Sequence, residues 1–142
     1  MLLHIALWLA KQKIISMQPI PIRKFLPGIA WFFIVLLLIC LPGEDLPEPD
    51  SWMKRIALEK WVHIGMFAIL AIFFIWPIAK SGLTRKIKWK YILWICVLTC
   101  AWGLVTEFIQ KWFITGRTFD LTDWLADSLG VLIAWIYARS KL

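Results

Sequence analysis

The sequence is short of the residues from which local catalytic and metal motifs are built. Only two histidines occur in 142 residues, and His4 sits in a brief leading stretch, so His63 is the one imidazole expected at a site. A paired-histidine zinc motif is thereby excluded. The chain also contains no glycine-rich phosphate loop and no nucleophile elbow. The three cysteines, Cys40, Cys96 and Cys100, all fall within apolar runs, where packing is expected and a disulfide is not. Charge is scarce as well: 18% of residues are Asp, Glu, Lys or Arg, against about 25% in ordinary soluble domains.

What is present in surplus is apolar material, 61% of the chain, with a mean hydropathy of +0.75. A soluble chain of this length buries only about two-thirds of its unfolded surface and cannot hide that much. Disorder is excluded for the opposite reason, because disordered chains lack the apolar surface to collapse. An integral membrane protein of one domain is expected. The net charge of +7 does not indicate nucleic acid, since the basic residues lie at the ends of apolar runs and form no stripe interleaved with exposed aromatics.

Four runs are long enough to cross a bilayer, which takes roughly 17–25 mainly apolar residues. They cover residues 25–41, 61–79, 89–113 and 121–138. Pro42 and Gly43 close the first run, Pro77 stands near the far end of the second, and Gly82 and Gly116 mark the turns. The expected fold is therefore all-α, a four-span transmembrane helical bundle (25–142) behind a leader (1–24). The apolar stretch from Met1 to Ala10 is too short to span and has no signal-peptide cleavage pattern. Either it lies in the inner interface or synthesis begins at Met17, and the second is preferred.

Basic residues set the orientation. Lys11, Lys13, Arg23, Lys24, Lys80, Arg85, Lys86, Lys88, Lys90, Arg139 and Lys141 fall on one side with no acid among them. Lys54, Arg55, Lys60, Lys111 and Arg117 share the other side with every Asp and Glu. Both termini are therefore expected to be cytoplasmic. Trp52, Trp61, Trp89, Trp112 and Trp124 fall at span ends, the positions of an interfacial aromatic belt. Glu44, Asp45, Glu48 and Asp50 read as a solvated outer loop able to attract cations.

Antiparallel threading brings the outer ends of spans two, three and four together. His63 lies three residues beyond Lys60, roughly 4–5 Å along the helix, and Glu107 lies roughly 7–8 Å inside Trp112. Asp127 lies roughly 6 Å deeper than Asp123 on the same face. A mid-helix carboxylate such as Glu107 has no capping role, whereas Asp120 and Asp123 each have one available at the start of span four. Gln110 shares the Glu107 face. Asp127 needs a partner among His63, Lys60 and Arg117. Arg117 is suited to clamp a phosphate or carboxylate, with a salt bridge to Asp120 or Asp123 as its plainer role. Hydrogen bonding between helices is the structural alternative for the whole set. No metal or cofactor is expected, although a carboxylate-rich cation site stays open because hard ions take oxygen ligands.

At these residues the chain resembles the VanZ-like family of small bacterial membrane proteins. Glu59-Lys60-Trp-Val-His63 stands where the family pattern has Asp-Lys-x-x-His. Glu107-Phe-Ile-Gln110 matches Glu-x-x-Gln. Arg117-Thr-Phe-Asp120-Leu-Thr-Asp123-Trp-Leu-Ala-Asp127-Ser-Leu-Gly130 follows Arg-x-x-Asp-x-x-Asp-x-x-x-Asn-x-x-Gly, with Asp127 in place of the usual Asn. If the family's residue donates a hydrogen bond there, Asp127 must be protonated to imitate it. The resemblance runs from about Trp52 to Trp135.

It implies a multi-pass protein of the bacterial inner (cytoplasmic) membrane with a cell-envelope role. The namesake is linked to resistance against the lipoglycopeptide antibiotic teicoplanin, with no reaction established. The expected function is an outer-leaflet polar cleft that binds an amphiphile, such as a lipoglycopeptide or a lipid-linked wall precursor. Its ligand-binding residues are Glu59, Lys60, His63, Glu107, Gln110, Arg117, Asp120, Asp123 and Asp127. The alternatives are an intramembrane enzyme on a lipid phosphate or headgroup, with His63, Glu107 and Asp127 as candidate catalytic groups, and a structural helper subunit. The bilayer is an expected partner, nucleic acid is not, and oligomeric state is left open.

Overall fold

The structure, a computed structural model, describes residues 1, 4, 5, 7, 8, 19–41 and 58–142. Lys11, Lys13, Met17, Pro42, Gly43, the acidic loop with Glu44, Asp45, Glu48 and Asp50, and Trp52, Lys54 and Arg55 lie outside the described residues. A 3-10 turn, Ile22–Phe25, leads into α1 (Leu26–Ile39), followed by α2 (Leu58–Ala79), α3 (Arg85–Phe113) and α4 (Leu121–Lys141). No strand occurs among the described residues. Counting the 3-10 turn with α1, the four helical stretches are long and apolar enough to cross a membrane.

The helices differ from the expected spans mainly at polar ends. The second begins at Leu58 in place of Trp61, and the third at Arg85 in place of Trp89. The fourth runs on to Lys141, past Ala138. Hydropathy marks where hydrocarbon begins, whereas helical hydrogen bonding continues into the interface. At 29 residues, α3 is about 44 Å long and overruns a hydrocarbon core of about 30 Å. Its first turns carry Lys86, Lys88 and Lys90 beyond that layer. Pro77 is buried inside the last turn of α2 and does not end it.

Up-and-down threading collects the polar groups at opposite ends. At one end Trp89 packs on Trp135, and Lys88 Nζ donates to the Ala79 carbonyl at 2.8 Å. Arg23, Lys24, Lys80, Arg85, Arg139 and Lys141 lie on that side, with no acid among the described residues there. All described acids lie toward the opposite end. That separation is the charge asymmetry expected from the sequence.

The core runs between α2 and α4 and is lined by small residues, Ala68, Ala71, Ala126, Gly130, Ala134 and Ala138. In lipid there is no hydrophobic drive between helices, so close backbone approach through small residues is the main source of packing energy. Gly130 is the point of closest approach: a Cβ there would stand 2.3 Å from the Ile64 carbonyl oxygen and 2.9 Å from the Ala68 nitrogen. α1 packs mainly on α2, with Phe32 reaching Trp102 of α3 at 4.8 Å between ring centroids. Trp31 Nε1 donates to the Met66 carbonyl at 3.0 Å, and Phe25 stacks on Phe74 with ring centroids 6.3 Å apart. Leu37, Leu98, Leu132 and Ile136 face outward, as lipid-facing positions do.

Candidate functional site

Three helices deliver polar and ionisable groups to one end of the bundle. From α2 come Glu59, Lys60 and His63, from α3 Glu107 and Gln110, and from α4 Asp123 and Asp127. Arg117 and Asp120 sit in the α3–α4 connection, whose tight turn uses Gly116 at φ 78°, a conformation that costs glycine little.

These groups form two tiers. The outer tier is a ring of ion pairs at the mouth. Lys60 Nζ lies 2.7 Å from Asp123 Oδ1 and 3.4 Å from Asp120 Oδ2. Arg117 pairs with Glu59. This corrects the expected bridge from Arg117 to Asp120 or Asp123: Lys60 already holds both of those acids, and the turn at Gly116 carries the guanidinium across to the first turn of α2. Arg117 Nε is buried without a hydrogen-bond partner among the described residues.

The inner tier is closed. His63 Nδ1 lies 2.9 Å from Asp127 Oδ1, and Glu107 Oε2 accepts the Asp120 N–H at 3.0 Å. Glu107 and Asp127 are 0% exposed, and His63 is 5% exposed. Gln110, also buried, shares the Glu107 face as the spacing predicts. Glu107 Oε1 and Asp127 Oδ2 have no hydrogen-bond partner among the described residues. Asp127 thus pairs through Oδ1 alone with the histidine, the first of the three cations offered by sequence reasoning. Its depth is made possible by Gly103, where a Cβ would come within 2.9 Å of Asp127 Oδ2. Sequence reasoning passed over Gly103, whose signal was only its position one helical turn before Glu107.

His63, Glu107 and Asp127, the deepest of the polar set, are therefore buried between the helices, while Glu59, Lys60 and Asp120 stay partly exposed at the mouth. Antiparallel helices close on each other through Gly103 and Gly130, and side chains fill the space between them. A concavity lies deeper, along the flank of the bundle. A groove of about 240 Å³ runs between α1 and α3 over α2, lined by Phe32, Leu70, Phe74, Ile95, Leu98 and Trp102. Leu70 and Phe74 lie on the His63 stripe of α2, about 10 Å and 16 Å further along at 1.5 Å per residue. Trp102 Nε1 is buried in this apolar setting without a partner among the described residues.

Two tryptophan expectations also change. Trp61 and Trp112 face outward at the mouth end, as a belt requires. Trp124 turns inward instead and donates to the Cys100 carbonyl at 3.0 Å, tying α4 to α3. Trp89 is half-buried against Trp135. Cys40, Cys96 and Cys100 are free thiols; Cys96 is buried and Cys100 half-buried as packing requires, whereas Cys40 caps the end of α1 and is exposed.

Asp120 serves as the N-cap of α4, accepting the Thr122 hydroxyl at 2.6 Å and the Thr122 N–H at 2.7 Å. These bonds, with Lys60 adding to them, hold its carboxyl below the usual carboxylate range. A group so depressed stabilises the fold fully above its ordinary value, and loses that contribution as pH falls through the lowered one. Asp120→Ala should therefore cost about 1 kcal/mol at neutral pH. The deficit should shrink in acid when thermal unfolding is followed in detergent. A deficit independent of pH would count against the cap.

Comparison with known proteins places this arrangement in context. The VanZ/LLP1 family model matches residues 7–141, well beyond the stretch that carries the motifs. An uncharacterized protein of the fission yeast Schizosaccharomyces pombe, C11E3.10, is 33% identical over 105 residues, or 72% of this chain. The matched stretch is 57% of that relative's own length. No solved structure matches.

Proposed function

Because the chain belongs to the VanZ/LLP1 family and is a multi-pass membrane protein, we propose that it binds an amphiphile at the mouth of the bundle. The charged headgroup meets the ion-pair ring, and one hydrocarbon chain lies in the Phe32–Trp102 groove. The observation that carries this reading is the mouth itself. Lys60 and Arg117 stand beside Glu59 and Asp120, and Arg117 Nε still lacks a partner among the described residues. A guanidinium with a free donor suits a phosphate or carboxylate, and the neighbouring acids suit an amine.

The charge asymmetry supports a mouth on the outer side of a cytoplasmic membrane, with both termini inside. In a bacterial envelope the candidates are a lipid-linked wall precursor or a lipoglycopeptide. The match to a yeast protein widens them to lipids made by both kinds of cell.

Native mass spectrometry of the full chain purified in mild detergent tests the proposal. A lipid adduct is expected on the wild type, and about tenfold less of it on Arg117→Ala, the loss of roughly 1.4 kcal/mol of contact. Equal adducts on both proteins would sink the idea.

A second reading, an intramembrane enzyme on a lipid headgroup, is favoured by the His63–Asp127 pair. A carboxylate on Nδ1 orients the ring for acid–base work at Nε2. The same spectra separate the two readings. Conversion of the bound lipid by wild type but not by Glu107→Gln supports the enzyme, and an unchanged mass supports the binder.

A further inference from the structure

Charge accounting at the site leaves a remainder. Glu59 has Arg117, while Asp120 and Asp123 share Lys60. Glu107 and Asp127, the two most deeply buried acids, have only His63 between them, and each presents a buried oxygen without a partner among the described residues. Carboxylates taken out of water in this way are costly to keep charged unless something positive sits against them.

The geometry points to what that is. We infer that His63, Glu107 and Asp127 form a site for one divalent transition-metal ion of the manganese or zinc kind. Each residue offers one ligand atom, these atoms lie within 4.8 Å of one another, and all three residues are buried. One imidazole with two carboxylates is a borderline donor set, suited to Zn²⁺ or Mn²⁺ more than to the all-oxygen shells of Ca²⁺. Two carboxylates also balance the charge of a divalent ion.

The ligands come from three different helices, which are held at close approach by Gly103 and Gly130. An ion there would have three protein ligands, one from each of three helices. A second grouping, Glu59, His63 and Asp123, also lies within 4.8 Å. It competes poorly, because Arg117 and Lys60 already occupy its acids and Glu59 is exposed.

This inference stands apart from the amphiphile reading, since an ion bound without any retained lipid keeps the one and removes the other. Cobalt(II) is the probe. Titrated into chelator-treated full-length protein in detergent, it should give the visible absorption of a bound ion, saturating near one equivalent. Wild-type protein that shows no stoichiometric absorption overturns the proposal whatever the variants do.

Glu107→Gln keeps the side-chain shape and the acceptor for the Asp120 N–H. It should weaken binding by more than about 100-fold, since changes to outer-shell partners alone cost roughly 10–100-fold. Asp123→Asn should weaken cobalt binding far less than Glu107→Gln does, and the reverse order would assign the ion to the competing group and end the proposal. Asp127→Cys supplies a signature that a merely structural role would not: a near-ultraviolet thiolate-to-cobalt band absent from the wild type. Helix content measured on each variant separates lost ligation from lost fold. A Glu107→Gln protein of native helicity that binds cobalt normally also overturns the assignment.

Discussion

Gly130→Ala is expected to be the most damaging single-methyl change in the protein. The added carbon would stand 2.3 Å from the Ile64 carbonyl oxygen and 2.9 Å from the Ala68 nitrogen. Both are backbone atoms, so no side chain can swing aside and the helices must part. Overpacking commonly costs about 1–3 kcal/mol where side chains can adjust, and the upper end or beyond is expected here. Gly65→Ala in the middle of α2 is the matched control, because nothing lies within 4 Å of the carbon it adds. That change should be neutral or stabilising by up to about 1 kcal/mol, the gain of alanine over glycine in a helix. Thermal unfolding in detergent, with membrane abundance alongside, reads the difference. If the two variants behave alike, the α2–α4 seam is not what holds the bundle closed.

His63→Leu is expected to cost as much or more, for an electrostatic reason. It removes the ring that stands 2.9 Å from Asp127 and leaves a carboxylate with no exposure against an apolar neighbour. Breaking a buried charged pair by taking one partner away costs about 3–5 kcal/mol, while replacing both partners with well-packed apolar groups is often neutral. The double variant His63→Leu/Asp127→Leu should therefore recover most of the stability lost in the single one, a large coupling in a double-mutant cycle. Activity gives the second readout. The recovered double variant should still fail to bind cobalt, because two of the three proposed ligands are gone, while a lipid adduct held at the mouth is retained. Cobalt binding that returns together with stability would make the cluster a mere helix fastener.

The motif residues show how far local pattern carries an argument about depth. Glu107 and Asp127 are recognisable as expensive residues from hydropathy alone, and both are fully buried. Asp120 is legible as a cap because the signal is local: it stands immediately before the helix and its side chain reaches Thr122. Arg117 is misassigned by the same local logic. Its nearest acids in sequence are Asp120 and Asp123, but its partner is Glu59, which lies 58 positions away. Trp124 fails similarly, since position at a span end says interface while helix rotation turns the indole toward Cys100. The grouping of His63, Glu107 and Asp127 is legible as a convergence of three helices, but its ligand geometry is not, since no two of the three share a short motif.

What the sequence determined unaided was the medium, the number of spans and the segregation of charge. Each residue's preference for hydrocarbon, interface or water is its own, and such preferences add along the chain whatever the helices later do. What only the tertiary structure decided was which polar groups meet. That depends on how each helix is rotated and how near its neighbours come, and here both are set by contacts at Gly103 and Gly130. The same contacts bury His63, Glu107 and Asp127 as an incompletely paired cluster, because a missing side chain lets two backbones approach until little space remains between them.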